Sequence, residues 1–308
     1  MSAKDTDCAM MNNVLTLISD PAAVALTLED TLAAKMAIEE AGGEIGTVVW
    51  LAPGIACDLP FDAPLQTADG VRKVLSGRPL DVVTQPASER RKKLLVADME
   101  STIIENEMLD ELAAVCGIGE AIADITARAM AGELDFEDAI KARVAMLEGL
   151  SESALEDVLA TIRITSGAAA LVATMRGNGA YCALVSGGFE FFTGWVRQRL
   201  GFDYDQANHL EIKNGTLTGS VRAPILGRNA KHEALLHLSA EHGIDPTKAI
   251  TVGDGANDLA MLEAAGMGVG FRAKPIVAEH VRVCVNYGDL TALLYIQGYR
   301  NTEFIRGV

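Results

Sequence analysis

Leu94–Thr102 reads LLVADMEST: four apolar residues, an acid, then a polar turn. The basic run PASERRKK (Pro86–Lys93) precedes it, so the apolar block predicts a short buried strand, Leu94–Ala97, that ends at Asp98. Two later stretches repeat the arrangement. ALVSGG closes a strand expected over Tyr181–Val185 and ends in Ser186, Gly187 and Gly188. ITVGDGAND closes one over Ala249–Val252 and leads into Asp254, Asn257 and Asp258, with a further strand at Met267–Val269. Helical stretches separate these strands. Alternation of this kind implies a parallel sheet, and ligands bind such a sheet beyond the carboxyl ends of its strands. From Glu105 to about Ile162 the pattern is helical with few strand signals, which predicts an insertion after the first strand.

PASERRKK is the best linker in the chain. Before it, Val14–Ile18 is an apolar run, Leu28–Ala41 has helical periodicity ended by Gly42-Gly43, and Ile45–Leu51 (IGTVVWL) is a strong strand signal. A short strand near Ile55–Leu59, a helix over Ala68–Leu75 and a strand over Leu80–Thr84 complete a β-α-β-β-α-β order, which suggests a small ferredoxin-like sandwich. After the sheet strands, Asn214-Gly215 between Leu210–Ile212 and Thr216–Val221 signals a hairpin, and Leu290–Tyr299 a terminal helix. The expected fold is therefore α/β. A parallel-sheet, Rossmann-like core occupies 89–308, carries a helical cap at about 105–165, and follows a ferredoxin-like α+β unit over 1–88.

The formal net charge of -16 argues against a broad nucleic-acid footprint, which needs dense Lys and Arg. It also requires any anionic substrate to find a local positive pocket. The cysteines (Cys8, Cys57, Cys116, Cys182 and Cys284) are odd in number and lack C-x-x-C spacing, so a reduced cytoplasmic setting is expected. The opening residues carry early acids and only a short apolar run, too short for a signal-peptide core or a membrane span. His232, His237 and His242 recur every five residues, which does not align them on one helix face, so no metal site is expected there.

Asp98, Ser186, Lys231 (in GRNAKHEA) and Asp254, in that order at strand and helix ends, suit phosphoryl transfer. Two carboxylates are enough for a hard, oxygen-coordinated Mg²⁺. Ser186, the glycine amides that follow and Lys231 would bind the phosphoryl oxygens on which charge accumulates. Gly187-Gly188 lets the backbone come close to a phosphate with no Cβ in the way. Each element alone is weak, since a strand followed by Asp is common. The four together are a stronger signal.

DMEST, ALVSGG, Lys231 and GDGANDLAML together resemble the motifs of the haloacid dehalogenase-like phosphatases. Leu94–Leu294 is similar, more closely, to the phosphoserine phosphatases, and the likeness runs through ENEMLDELA, ITARAMAGELDFEDAIKARVAMLEGL, ANHLEIKNGTLTG and FRAKP. The resemblance implies that Asp98 is the nucleophile and a metal ligand, and that Glu100 is the general acid/base. It implies that the Glu100 backbone carbonyl and Asp254 complete the protein ligands to Mg²⁺. Ser186, Gly187 and Lys231 would bind phosphate, Asn257 would contact substrate, and Asp258 would support Lys231 or the metal shell. Glu107 would hold the substrate ammonium and Arg143 its carboxylate, a pairing that suits a fork-shaped donor and an anion.

One departure stands out: Glu100 occupies a position where the family usually has Asp, and a related phosphotransferase branch resembles D-x-E here. The expected function is hydrolysis of O-phospho-L-serine, the last step of serine biosynthesis, through an aspartyl phosphate. Transfer of the phosphoryl group to another amino alcohol, or a broader small-metabolite phosphatase, is the first alternative. A catalytically weak regulatory or binding protein, with Glu100 as its lesion, is the second. Read alone, Glu107 fits a helix-dipole acid and Arg143 a surface ion-pair partner. The expected partner is a small-molecule substrate, with neither nucleic acid nor membrane. The first unit is left as an amino-acid sensor or a dimerising element, so a homodimer is possible.

Overall fold

The computed structural model describes residues 11–130 and 133–307. Cys8 and most of the opening segment lie outside the described residues. Strand β1 (Asn13–Ser19), helix α1 (Leu28–Glu40), strands β2 (Glu44–Ile45), β3 (Val49–Ala52) and β4 (Ala56–Asp62), helix α2 (Ala68–Val74) and strand β5 (Leu80–Pro86) form the first unit. The second contains β6 (Leu94–Ala97) and the helices α3 (Met108–Cys116), α4 (Gly119–Met130), α5 (Phe136–Ala145), α6 (Glu152–Leu159) and α7 (Ala168–Gly177). It continues with β7 (Tyr181–Phe189), α8 (Glu190–Leu200), β8 (Tyr204–Lys213), β9 (Thr216–Arg222) and α9 (Ala230–His242). It ends with β10 (Ala249–Gly253), α10 (Leu259–Ala264), β11 (Met267–Phe271), α11 (Pro275–Ala278), β12 (Val283–Val285) and α12 (Ala292–Ile296).

The first sheet runs β2-β4-β1-β5, with β3 also on β4, and its pairs are antiparallel. The strand expected over Ile45–Leu51 is in fact two short ones. Gly46 leaves the ladder and donates its N–H to the Pro60 carbonyl, and pairing resumes at Val49. Thr27 caps α1 in a reciprocal box with Asp30, and Asp30 is held in turn by a bidentate Arg78 at 2.8 Å. Ala34, Ala37, Ile38 and Val71 pack from the two helices onto Leu15, Leu17, Leu59 and Phe61 of the sheet.

The second sheet runs β12-β11-β10-β6-β7-β8-β9, parallel from β12 to β8 and antiparallel only at the last pair. Leu94–Ala97 is β6, in the middle and wholly buried, as a near-continuous apolar strand of a covered parallel sheet should be. Asn214 and Gly215 take positive φ at the hairpin, the conformation that an Asn-Gly turn permits. The expected terminal helix is shorter, Ala292–Ile296, and β12 has no counterpart in the sequence reading because three residues give too little periodicity.

The two units are not joined loosely. Ile18, Leu51, Ala52, Ala56 and Val83 of the first sheet share a core with Leu290 and Leu293–Ile296 of the second unit. Arg90, inside the polar run read as a linker, pairs with Asp58 at 2.6 Å and donates to the carbonyls of Tyr295 and Ile296. Asp81, 3% exposed, accepts the backbone N–H groups of Asn286, Tyr287 and Gly288. Among the described residues, no helix is long and apolar enough to cross a membrane.

Candidate active site

β6 delivers Asp98 at the carboxyl edge of the sheet, 5% exposed, with its Oδ1 accepting the Met99 N–H at 2.7 Å. The neighbouring β10 delivers Asp254, 6% exposed. Lys231, at the start of α9, reaches between the two strands: its Nζ lies 2.7 Å from Asp98 Oδ1 and 2.6 Å from Asp258 Oδ1. Asp258 is fully buried, and its other oxygen accepts the N–H groups of Asp254 at 3.1 Å and Gly255 at 2.9 Å. It therefore fixes the lysine and the turn carrying Asp254 together. Gly253 makes room for it, since a Cβ there would fall 2.3 Å from the Asp258 carboxyl carbon.

Three buried carboxylates share the buried Lys231, which pairs with Asp98 and Asp258, and the exposed Lys274, which pairs with Asp254, so negative charge is in excess. Burial pushes Asp98 well above the usual carboxylate range, Asp258 adds to the push, and Lys231 opposes it. Burial works against the Lys231 ammonium too, but Asp98 and Asp258 outweigh it and raise its pKa. Asp98, Asp254 and Asp258 can each place an oxygen within 4.8 Å of the others, a hard-oxygen donor set that fits a small divalent cation such as Mg²⁺. Asp258 is already committed to Lys231 and two amides, which leaves Asp98 and Asp254 as the carboxylates with free lone pairs.

β7 runs on through Phe189, so SGG sits within the strand's last residues rather than after it. Ser186, 1% exposed, accepts the Gly188 N–H on its Oγ at 2.9 Å. Asn208 of β8, 1% exposed, donates to the Gly187 carbonyl at 2.8 Å and accepts the Leu226 N–H at 2.8 Å, locking this turn to the loop before α9. Phe136, the first residue of α5, would stand 3.3 Å from a Cβ at Gly187, so the helical segment that follows β6 reaches down to the turn. Asn257 sits on the turn after Asp254, with its Oδ1 2.6 Å from where a Cβ on Gly255 would lie.

Glu100 follows Asp98 in a turn that Ser101 closes with φ of 53°, a strained conformation for a non-glycine residue. One carboxylate oxygen accepts the N–H of Met108, the first residue of α3, at 2.9 Å. The other points at Gly188, where a Cβ would fall 2.9 Å away. Burial, and then the nearby Glu107, push the Glu100 carboxyl up to about 7. Glu107 accepts a hydrogen bond from Ser101 Oγ at 2.6 Å. The partly buried Arg143 of α5 donates Nε to the Ala139 carbonyl. Burial lowers its pKa, while Glu100, Asp110 and Glu107 lie close enough to support its charge.

The structure thus gathers Asp98, Lys231, Asp254 and Asp258 by direct contact, with Ser186, Gly187 and Asn257 on the adjoining turns and Glu100, Glu107 and Arg143 toward helices α3 and α5. Three residues without a motif of their own join them. Lys274 places Nζ 3.1 Å from Asp254 Oδ2 and donates its backbone N–H to the Asp254 carbonyl. Asn208 and Ser101 hold other site residues in place. Lys274 stands in FRAKP and Asn208 in ANHLEIKNGTLTG, but nothing in the sequence shows which side chain turns inward.

A protein-family model described as haloacid dehalogenase-like hydrolase matches residues 95–263. The chain is 38% identical over 297 residues to a phosphoserine phosphatase of Streptomyces coelicolor, covering 94% of this chain and 72% of that protein. It is 43% identical over 201 residues to one from Haemophilus influenzae, covering 65% of this chain and 64% of the relative's length. A crystal structure of a probable phosphoserine phosphatase from Vibrio cholerae superposes with a TM-score of 0.79 at 31% identity, over 95% of this chain and 88% of the other. This chain belongs to the haloacid dehalogenase-like hydrolase family, on the branch that its phosphoserine phosphatases occupy.

Proposed function

We propose that this chain hydrolyses O-phospho-L-serine to L-serine and phosphate, with Asp98 as the nucleophile. The observation that carries the reading is Lys231 Nζ held 2.7 Å from the buried carboxylate that ends β6, the strand next to the one that carries Ser186–Gly188. A nucleophile beside a fixed cation, with the amides of a glycine turn at the end of the neighbouring strand, is the set of groups that phosphoryl transfer needs, and this supports the reading. Names carried by relatives at about 40% identity support the same substrate.

In the first step, Asp98 forms a bond to phosphorus as the bond from phosphorus to the serine oxygen breaks. The Glu100 carboxyl gives the departing oxygen its proton. A pKa pushed to about 7 keeps a useful fraction of this group protonated near neutrality, a range where ordinary carboxyls are ionised. In the second step, the Glu100 carboxylate takes a proton from water, the water oxygen bonds to phosphorus, and the Asp98 carboxylate is released. Lys231 and Ser186 hold the phosphoryl oxygens throughout. Asp98, Asp254 and the Glu100 backbone carbonyl would hold Mg²⁺, which supplies positive charge against both phosphate and nucleophile. Arg143 and Glu107 would hold the substrate carboxylate and ammonium, and Asn257 would contact substrate. The four buried or half-buried cysteines that the structure describes are all free, consistent with action in the cytoplasm.

The test is turnover of phosphoserine beside phosphothreonine and simple sugar phosphates, with Mg²⁺ and with homoserine present or absent. Strong preference for phosphoserine and release of free phosphate support the reading. Equal rates across the panel remove the roles of Arg143 and Glu107, and phosphohomoserine as the main product makes the chain a transferase.

A further inference from the structure

Lys274 meets Asp254 with both its backbone and its side chain, and the chain around it is built to keep it there. β11 runs parallel beside β10, and past Phe271 the chain turns toward the residue that follows β10. Arg272 makes this turn with φ of 45°, a conformation that a non-glycine residue adopts only under constraint, and donates its N–H to the Val285 carbonyl at 2.8 Å. Gly270 makes room for the turn, since a Cβ there would stand 3.1 Å from that of Ala273. Pro275 then opens α11 and holds the backbone of the residue before it extended. The Lys274 backbone is therefore fixed before its side chain touches anything.

Asp254 is in consequence tied at three points. Asp258 accepts its N–H at 3.1 Å, its carbonyl accepts the Lys274 N–H at 2.9 Å, and Lys274 Nζ lies 3.1 Å from its Oδ2. Its Oδ1 accepts no hydrogen bond among the described residues. An exposed ion pair alone is worth little, and the Lys274 side chain is 60% exposed. This pair differs because the acid is buried, with its side chain 9% exposed, and the base is anchored through its own main chain. A carboxylate with one oxygen held and the other free is suited to a metal, since a hydrogen bond to a ligating carboxylate fixes its orientation.

We infer that Lys274 is a positioning residue for the metal centre: it holds Asp254 in one rotamer by Oδ2 and so leaves Oδ1 to Mg²⁺. The inference rests on the reading of Asp98 and Asp254 as Mg²⁺ ligands, and adds to it a residue that acts through Asp254.

The sign of the effect separates this role from a simple charge effect. Lys274 is a cation beside a site for a cation, so its charge alone opposes Mg²⁺, and removing that charge would tighten binding. Losing its hold on Asp254 would weaken binding, because the metal must then order the carboxylate itself.

The experiment is calorimetric titration of the full chain with Mg²⁺ alone, with melting of the metal-free protein as a fold control. Lys274→Met keeps an unbranched stem and loses the ammonium, and should weaken Mg²⁺ binding by about tenfold. Its metal-free Tm should stay within about 2 °C of the parent's, because the side chain is mostly exposed. Asp254→Asn should lose Mg²⁺ binding. Unchanged or tighter binding by Lys274→Met, with Asp254→Asn still deficient, overturns the inference and leaves the ligand reading standing. An Asp254→Asn protein that binds Mg²⁺ like the parent removes the ligand reading, and the role of Lys274 with it. A loss of affinity in Lys274→Met that comes with a fall in Tm of more than about 5 °C marks damage to the fold and also overturns the inference.

Discussion

Replacing Gly188 with alanine should damage catalysis while sparing the fold. The new Cβ would stand 2.9 Å from Oε2 and 3.2 Å from Cδ of Glu100, and 3.1 Å from Ser186 Oγ. Ordinary contact begins near 3.4 Å, so the Glu100 carboxyl must retreat by about half an ångström or rotate. The clashing atoms are the free end of a side chain, so the cost in stability should stay below about 1 kcal/mol. The cost in rate is larger. A proton donor displaced on this scale loses between about tenfold and about a hundredfold in kcat, about 1.4 to 2.7 kcal/mol of barrier. Glu100→Asp withdraws the carboxyl by one methylene and vacates the space that the alanine needs. In that background Gly188→Ala should cost little, giving a coupling of about 1 kcal/mol or more in a double-mutant cycle. The assay is steady-state phosphate release from phosphoserine for all four proteins, with thermal melting as the control. An unimpaired Gly188→Ala enzyme, or an equal loss in both backgrounds, would refute the placement of the Glu100 carboxyl against this turn.

Lys231→Ala leaves Asp98 and Asp258 buried without their shared cation, which should cost about 3–5 kcal/mol and lower Tm by about 10 °C. Added Mg²⁺ should restore part of that loss in a melting experiment, and an unchanged Tm would contradict the charge arrangement. Arg143→Ala should lower kcat/KM for phosphoserine by about a hundredfold, yet by less than about tenfold for phosphoethanolamine, which has no carboxylate. Equal losses on both substrates would count against carboxylate recognition. In the first unit, burial works to raise the Asp30 carboxyl, but the Arg78 and Thr27 hydrogen bonds win and hold it below its ordinary 3.8. A carboxyl lowered on folding stabilises above its unfolded pKa and loses that contribution as pH falls through the folded value. Arg78→Ala should therefore flatten the acid dependence of unfolding below about pH 4, and identical acid profiles would show that the pair adds nothing.

Much of the site was legible because parallel-sheet chemistry is written at strand ends. LLVAD, ALVSGG and ITVGD each announce a buried strand and then a polar side chain that the strand must deliver to one edge. What stayed hidden depends on side-chain direction. Nothing in ANHLEIK says that Asn208 is buried and bridges two loops, and nothing in FRAKP says that Lys274 turns back to Asp254. In the first unit the alternation of IGTVVWL reads as one strand. The break at Gly46 comes from pairing with Pro60, a partner fourteen residues away that local pattern cannot supply. The run around Arg90 reads as a linker because it is polar, but its guanidinium is spent on Asp58 and two carbonyls of the other unit. Polarity signals exposure only when no partner is waiting.

The proposed hydrolysis requires a phosphoryl group to pass through Asp98. Acid-quenching the enzyme during turnover of phosphoserine with Mg²⁺, followed by peptide mass spectrometry, tests this most directly. One phosphoryl group is expected on the peptide that contains Asp98, removed by hydroxylamine and absent from an Asp98→Asn protein that no longer turns over. Full turnover by Asp98→Asn, or a phosphoryl group trapped on another residue, would contradict it.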